Sequence, residues 1–129
     1  MVELVGMNTL LEETDPHGKD QHEPGAKLDA GKIRPALVFK GFRRALIAVA
    51  EVGTAGAAKY TDNGWMEVPN GIDRYDDAKW RHWLEPYLYD HKSGSLHAAH
   101  EAWNALARLE LILRELETAD AQREQDLYP

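Results

Sequence analysis

The residues best suited to chemistry lie in the C-terminal third. Asp90-His91-Lys92-Ser93-Gly94 is followed by His97, His100 and Asn104 in a stretch that reads as helix. Successive helical residues advance by about 100°, so positions i, i+3 and i+7 share one narrow arc. Two imidazoles and a carboxamide are poor choices for a solvated face and for an apolar core. Beside an apolar stripe they describe a polar site at the edge of a helix bundle. Neutral imidazoles ligate Mn, Fe, Co, Ni or Zn more readily than Mg, which prefers oxygen. They also work as acid and base near neutral pH, or bind phosphate. A plain helix-packing pair, each histidine donating to a carbonyl or carboxylate, has the same spacing. His82, after Arg81, and Asp90 have a route to the same site, and Glu101 and Arg108 lie close to the arc.

A second group of residues suits a polyphosphate. Lys27, Lys32 and Arg34 surround Gly31 in a loop that reads as an electropositive lip, or simply as a solvated basic loop. The Walker pattern is absent. Gly56-Ala57-Ala58-Lys59-Tyr60 ends a helix before Asn63-Gly64-Trp65. Lys59 suits a phosphate or the negative end of the helix dipole. Tyr60 or Trp65 could stack on a base.

The elements that must position these groups are helical. Pro35 can open a helix. Phe42, Leu46, Val49, Gly53, Gly56 and Tyr60 fall on one face, and glycines on such a stripe imply close approach by another helix or a ligand. Asn63-Gly64 breaks this helix. Asp73 reads as the N-cap of the next, with Trp80, Trp83, Leu84, Tyr87 and Leu88 as its apolar stripe and His82 opposite. Pro86 should kink that helix or end its first half. Ser93 or Ser95 reads as the cap of a long final helix bearing Leu96, Ala99, Trp103, Leu106, Leu109, Leu113 and Leu116. The expectation is an all-α fold, a small bundle of three main helices with an irregular N-terminal arm. The arm covers 1–26 and is expected to be mobile, with His17 and His22 as solvated loop residues. The folded domain covers 27–117, and a charged tail, 118–129, is expected to fray.

The totals exclude several functions. A chain of 129 residues makes one domain. Net charge −7 argues against binding a nucleic-acid polymer, whose affinity comes from clustered cations, but not against a small phosphorylated ligand. No cysteine is present, which removes disulfides and thiolate zinc sites and fits a reducing compartment. No signal peptide and no membrane span are read, so a cytoplasmic protein with no membrane partner is expected.

Taken in order, a Gly-Lys-x-x-Pro loop, Gly-Ala-x-Lys-Tyr, Asn…Trp, Arg-His, Asp-x-x-Ser-Gly and His-x-x-His-x-x-x-Asn resemble a phage-associated family. It is named for a dATP/dGTP diphosphohydrolase N-terminal domain, and the resemblance runs from about Lys27 to Leu116. It implies a helical domain grouped loosely with MazG-like nucleotide pyrophosphohydrolases, commonly oligomeric and dependent on divalent metal. The matched positions are Lys32, Gly56, Lys59, Tyr60, Asn63, Trp65, Arg81, His82, Asp90, Ser93, Gly94, His97, His100 and Asn104. Lys92 stands where the pattern usually has Glu, and the Glu-x-x-Glu pair of MazG-like enzymes is absent from the expected helices.

The function expected is hydrolysis of a purine deoxynucleoside triphosphate to monophosphate and pyrophosphate, with Mg or Mn, by a homo-oligomer in the cytoplasm of a phage-infected host. His82, Asp90, His97 and His100 are the acid–base candidates, and Asp90, His97 and His100 the metal ligands. Lys32, Arg34, Lys59, Tyr60, Asn63, Trp65, Arg81 and Asn104 are the substrate-binding candidates. The alternative is a non-catalytic phage sponge that sequesters a signalling nucleotide.

Overall fold

The computed structural model describes residues 12–128, so the apolar start of the arm, with Val2, Leu4, Val5, Met7, Leu10 and Leu11, lies outside the described residues. The fold is all-α. A short helix α1 (Pro35–Gly41) leads into α2 (Arg43–Lys59), a 3-10 turn (Gly64–Glu67), α3 (Gly71–Leu84) and α4 (His97–Leu127). The three long helices are the expected bundle. Pro35 sits in the first turn of α1, where its fixed φ fits and no N–H is needed. Phe42 joins α1 to α2 without a gap, its N–H on the Val38 carbonyl and its own carbonyl taking the Leu46 N–H.

Asn63 and Asn70, at φ 59° and 55°, adopt the left-handed backbone that Asn tolerates, and each starts the helical turn that follows it. This corrects the expected cap of α3. The helix starts at Gly71 rather than after Asp73, with no side-chain cap. It ends at Leu84, because Glu85 takes the extended backbone that a following proline favours. Tyr87 and Leu88 therefore leave the helix that their spacing suggested.

α4 starts after Leu96, again with no side-chain cap, so neither Ser93 nor Ser95 plays that part. Its C-terminal half is also a correction: the helix continues through the segment expected to fray and stops at Leu127. No Gly or Pro interrupts 97–127, and Ala, Glu, Gln and Arg are good helix formers. Thr118 bonds the Arg114 carbonyl, Arg123 pairs with Asp120, and Gln122 bonds Asp126.

α4 packs chiefly against α3 and less against α2. The α3 contact is antiparallel, since Gly71 at the start of α3 meets Leu111 while His82 near its end meets His97. Trp103 on α4 gathers edge-on contacts from Trp65 at 6.0 Å and Tyr75 at 5.7 Å. Tyr75 donates its hydroxyl to the Trp65 carbonyl at 2.7 Å. A Cβ on Gly53 would lie 3.1 Å from Trp103 Nε1, so the close helix approach expected of this glycine is made; Gly56 faces open space. The buried hydrophobic residues among those described are only Val52, Ala99 and Ala107. Trp80, Trp83 and Leu84, the expected apolar stripe of α3, are 48%, 61% and 70% exposed.

The described part of the arm is held by one carboxylate. Buried Asp15 accepts the N–H groups of His17 (2.7 Å), Lys19 (3.3 Å) and Lys27 (2.9 Å). The Lys27 N–H is the foremost reason that its pKa lies below the usual carboxylate value. The Ala30 N–H bonds the Thr14 carbonyl, and Lys32 pairs with Glu13 at 2.9 Å. Among the described residues no helix is long and apolar enough to cross a membrane.

Candidate functional site

The chain between α3 and α4 folds back as a tight turn. Tyr89 and Leu96 form a single antiparallel bridge. The Asp90 N–H bonds the Ser95 carbonyl at 2.8 Å, and the Gly94 N–H bonds the Asp90 carbonyl at 2.8 Å. Gly94 has φ 75°, a conformation that costs glycine nothing. The His97 N–H reaches the Leu88 carbonyl at 3.0 Å and anchors the start of α4 to the same turn. The turn thus lays Asp90 and Ser93 against the first helical turn of α4, opposite the last turn of α3.

Four of the expected residues meet there. His82 Nδ1 and His97 Nδ1 are 2.8 Å apart, and His97 is buried. The His82 ring stacks on His100, centroids 4.3 Å apart and planes 3° from parallel. His100 Nε2 lies 2.7 Å from Ser93 Oγ and 3.6 Å from Asp90 Oδ2. Ser93 donates its hydroxyl to Asp90 Oδ2 at 2.7 Å, and Asp90 also receives the N–H groups of Ser93 and Lys92 at 3.3 and 3.4 Å.

Burial, and secondarily the neighbouring imidazoles, pulls the His82 pKa below its ordinary 6.5. Burial lowers His100 likewise, against an opposing pull from Asp90. The Ser93 hydroxyl holds Asp90 below the usual carboxylate range, aided by the backbone N–H groups. At neutral pH the site therefore presents an ionised carboxylate and neutral imidazoles at 82 and 100.

These residues do not fit a divalent ion. Imidazole lone pairs lie in the ring plane, so the parallel rings of His82 and His100 cannot aim at one point about 2.1 Å from both. His82 and His97 spend their Nδ1 atoms on each other, and Asp90 is turned onto Ser93. Among the described residues no group of three His, Cys, Asp or Glu side chains could hold a metal ion.

The other candidates are placed elsewhere. Asn104 lies on the shared arc but is buried, and its amide donates to the His100 carbonyl at 2.8 Å, so it braces the helix behind His100. Arg81 is exposed beside His82, whose titration its charge affects. Lys32 is paired with Glu13, and Lys59 lies 5.1 Å over the ring of Tyr60, which is 73% exposed. Asn63 supplies its backbone conformation, Arg34 is exposed before α1, and Trp65 packs edge-on against Trp103 under Arg114. No hydrogen bond, ion pair or ring contact joins any of these six to the histidines.

Sequence reasoning placed Ser93 in a motif and read it as a cap; its contact with both Asp90 and His100 was not foreseen. The signal available was the Asp-x-x-Ser spacing, which allows a side-chain bond across one turn. Arg108, noted as close to the arc, has a buried Nε without a hydrogen bond, its nearest carboxylate being Asp76 at 3.9 Å on α3.

No curated protein and no solved structure matches the chain. A family model described as dATP/dGTP diphosphohydrolase, N-terminal, matches residues 22–121, which span all four helices' packed parts and the whole histidine cluster. The chain is thus a member of the dATP/dGTP diphosphohydrolase N-terminal-domain family.

Proposed function

We propose that the protein binds a purine deoxynucleoside triphosphate and hydrolyses it between the α- and β-phosphates. The observation that carries this reading is a neutral imidazole, His100, braced by Asp90 through Ser93 and stacked on His82. Such a group can take a proton from water near neutral pH. The water oxygen bonds to the α-phosphorus, the α–β bridging P–O bond breaks, and pyrophosphate leaves with the electron pair. The His82–His97 pair holds the stack in place.

Among the substrate-binding candidates, Arg81 is the cation next to the cluster. Lys32, Arg34, Lys59, Tyr60 and Asn63 lie on other elements and touch none of the clustered histidines; in this proposal assembly brings them to the same triphosphate. Exposed area supports assembly. Trp80, Trp83 and Leu84 of α3 are 48%, 61% and 70% exposed, more apolar surface than one helix face normally leaves in water. A homo-oligomer that covers the exposed tryptophans of α3 belongs to this proposal, as do a phage origin and action in the host cytoplasm.

Mg or Mn, implied by the family resemblance, has no ready seat on the histidines, so the reading gives them proton transfer alone. The same misfit favours the second reading, a nucleotide sponge that binds without cleavage. One experiment separates the two. The protein is incubated with dGTP and dATP in Mg, in Mn and in chelator, and pyrophosphate and monophosphate are followed. Release of both products, lost in His100→Ala, is the result expected of a hydrolase. Intact nucleotide recovered from boiled protein, with no product in any arm, would replace it with the sponge.

A further inference from the structure

Outside the histidine cluster, the described residues carry a groove on α2 lined by Ile47, Ala50, Thr54 and Ala58, the Asp76–Arg108 contact and the Asp15 loop. In the histidine cluster the hydrogen bonds leave the protons little choice. Ser93 has one hydroxyl hydrogen and gives it to Asp90 Oδ2 at 2.7 Å. Its oxygen accepts the Ser95 N–H at 3.2 Å. The remaining contact, His100 Nε2 at 2.7 Å, is then one in which the serine oxygen can only accept. His100 must therefore carry its proton on Nε2, which leaves Nδ1 as the bare lone pair.

That Nδ1 makes no hydrogen bond to a described residue. Arg108 Nε is the buried side-chain nitrogen or oxygen without a partner among the described residues, so His100 Nδ1 keeps contact with solvent. We propose that Ser93 is a positioning residue: by committing its proton to Asp90 it fixes His100 as the Nε2–H tautomer, stacked on His82, and thereby makes His100 Nδ1 the atom that receives the proton of water. The role in hydrolysis rests on the reading above; the tautomer does not.

The test uses full-length protein labelled with 15N-histidine, whose two-bond correlations identify each ring's tautomer in the absence of any nucleotide. Wild-type His100 is expected in the Nε2–H form, with the ring-current shift of a stacked imidazole. In Asp90→Ala the Ser93 hydroxyl is freed to donate, and His100 should become a mixture of both tautomers. In Ser93→Ala the carboxylate is the nearest acceptor left, and reaching it moves the ring off His82. The ring-current shift should then fall and hydrolysis drop about 10- to 100-fold, while Ser93→Thr keeps both. Ser93 is exposed in the turn, so the Ser93→Ala and Ser93→Thr variants are expected to melt close to wild type. A wild-type His100 in the Nδ1–H form would overturn the proposal. So would a Ser93→Ala variant with tautomer, ring-current shift and turnover all unaltered. If wild type hydrolyses no nucleotide while the tautomer and stacking respond as described, the hydrolase reading fails and the positioning by Ser93 stands.

Discussion

The two faces of α3 invert the usual rule of burial. Toward α4 it presents Gly71, Tyr75, Ala78 and His82, buried or half-buried. Away from α4 it presents Trp80, Trp83 and Leu84 to solvent, with the two indoles edge-on at 5.6 Å. Polar imidazole is taken inside while the largest apolar side chains stay out. Imidazole tolerates this because it can be neutral and because His82 has its partner in His97 on α4. Indole left in water forgoes a large favourable term, since each buries about 150–250 Å² when covered. The inner face has its polar groups partnered within the chain, and the outer face is the one that the proposed homo-oligomer would cover.

The largest effect is expected on the outer face. Trp80→Glu combined with Trp83→Glu should dissociate the proposed homo-oligomer, raising its dissociation constant at least about 1,000-fold if each indole contributes about 2 kcal/mol as an interface anchor. Sedimentation velocity across a concentration series reads this directly. The inner face should be indifferent, so the histidine signals of the double variant should overlay those of wild type. A wild-type protein that sediments as a monomer at tens of micromolar would end the idea of a covered outer face.

The sequence showed one of these faces far better than the other. That His82 lies opposite the tryptophans, and that His97 and His100 share an arc, follows from helical periodicity alone. Together they bring three imidazoles within reach once α3 and α4 pack. Which face turns toward α4 was not legible, because an apolar stripe looks the same whether its partner is within the chain or in another copy. The start of α3 was misread because Asp73 has the chemistry of an N-cap, whereas the chain uses the left-handed backbone of Asn70, which propensity does not display. Tyr87 and Leu88 matched the stripe by spacing, yet the Glu85-Pro86 pair had already ended the helix. The basic and aromatic candidates around Lys32 and Lys59 were placed by type, and type does not reveal distance; Lys32 is held by Glu13 in the arm.

Within the site, His97→Ala should cost more than a comparable change outside it. It leaves His82 Nδ1 without its 2.8 Å partner, a loss of about 1–3 kcal/mol for a half-buried polar atom. Trp80→Ala, measured in a Trp83→Glu background, should change stability by less than about 0.5 kcal/mol. Urea unfolding of both compares the faces directly, and equal losses would show that the histidine pair is not a packed element.

Acid should act on the inner face first. His82 and His100 titrate below 6.5, so between that value and their lowered pKa values the unfolded chain binds more protons than the folded one. Their contribution is complete above about pH 6.5 and is lost as pH falls through the folded pKa values. Asp90, also lowered, adds a second loss below its ordinary 3.8. Melting temperature followed from pH 7.5 to 4.5 should fall in wild type and fall less in a His82→Gln, His100→Gln variant. Parallel curves would assign the acid sensitivity to other groups.

The smallest effect is expected where α3 comes closest to α4. A Cβ on Gly71 would stand 2.7 Å from Leu111 Cδ1 and 3.4 Å from the Tyr75 ring. The nearer atom is the end of a flexible side chain and can rotate away, while alanine gains up to about 1 kcal/mol over glycine in a helix. The two terms oppose each other, so Gly71→Ala should change stability by less than about 1 kcal/mol. Gly71→Leu has no such escape, because a branched side chain must displace the helix itself. That displacement acts at the far end of the antiparallel contact from His82, and it should weaken the His82–His100 stack through the α3 axis rather than by touching it. A ring-current shift at His100 that survives Gly71→Leu would show that the turn at 89–96, and not the α3–α4 seam, sets the geometry of the site.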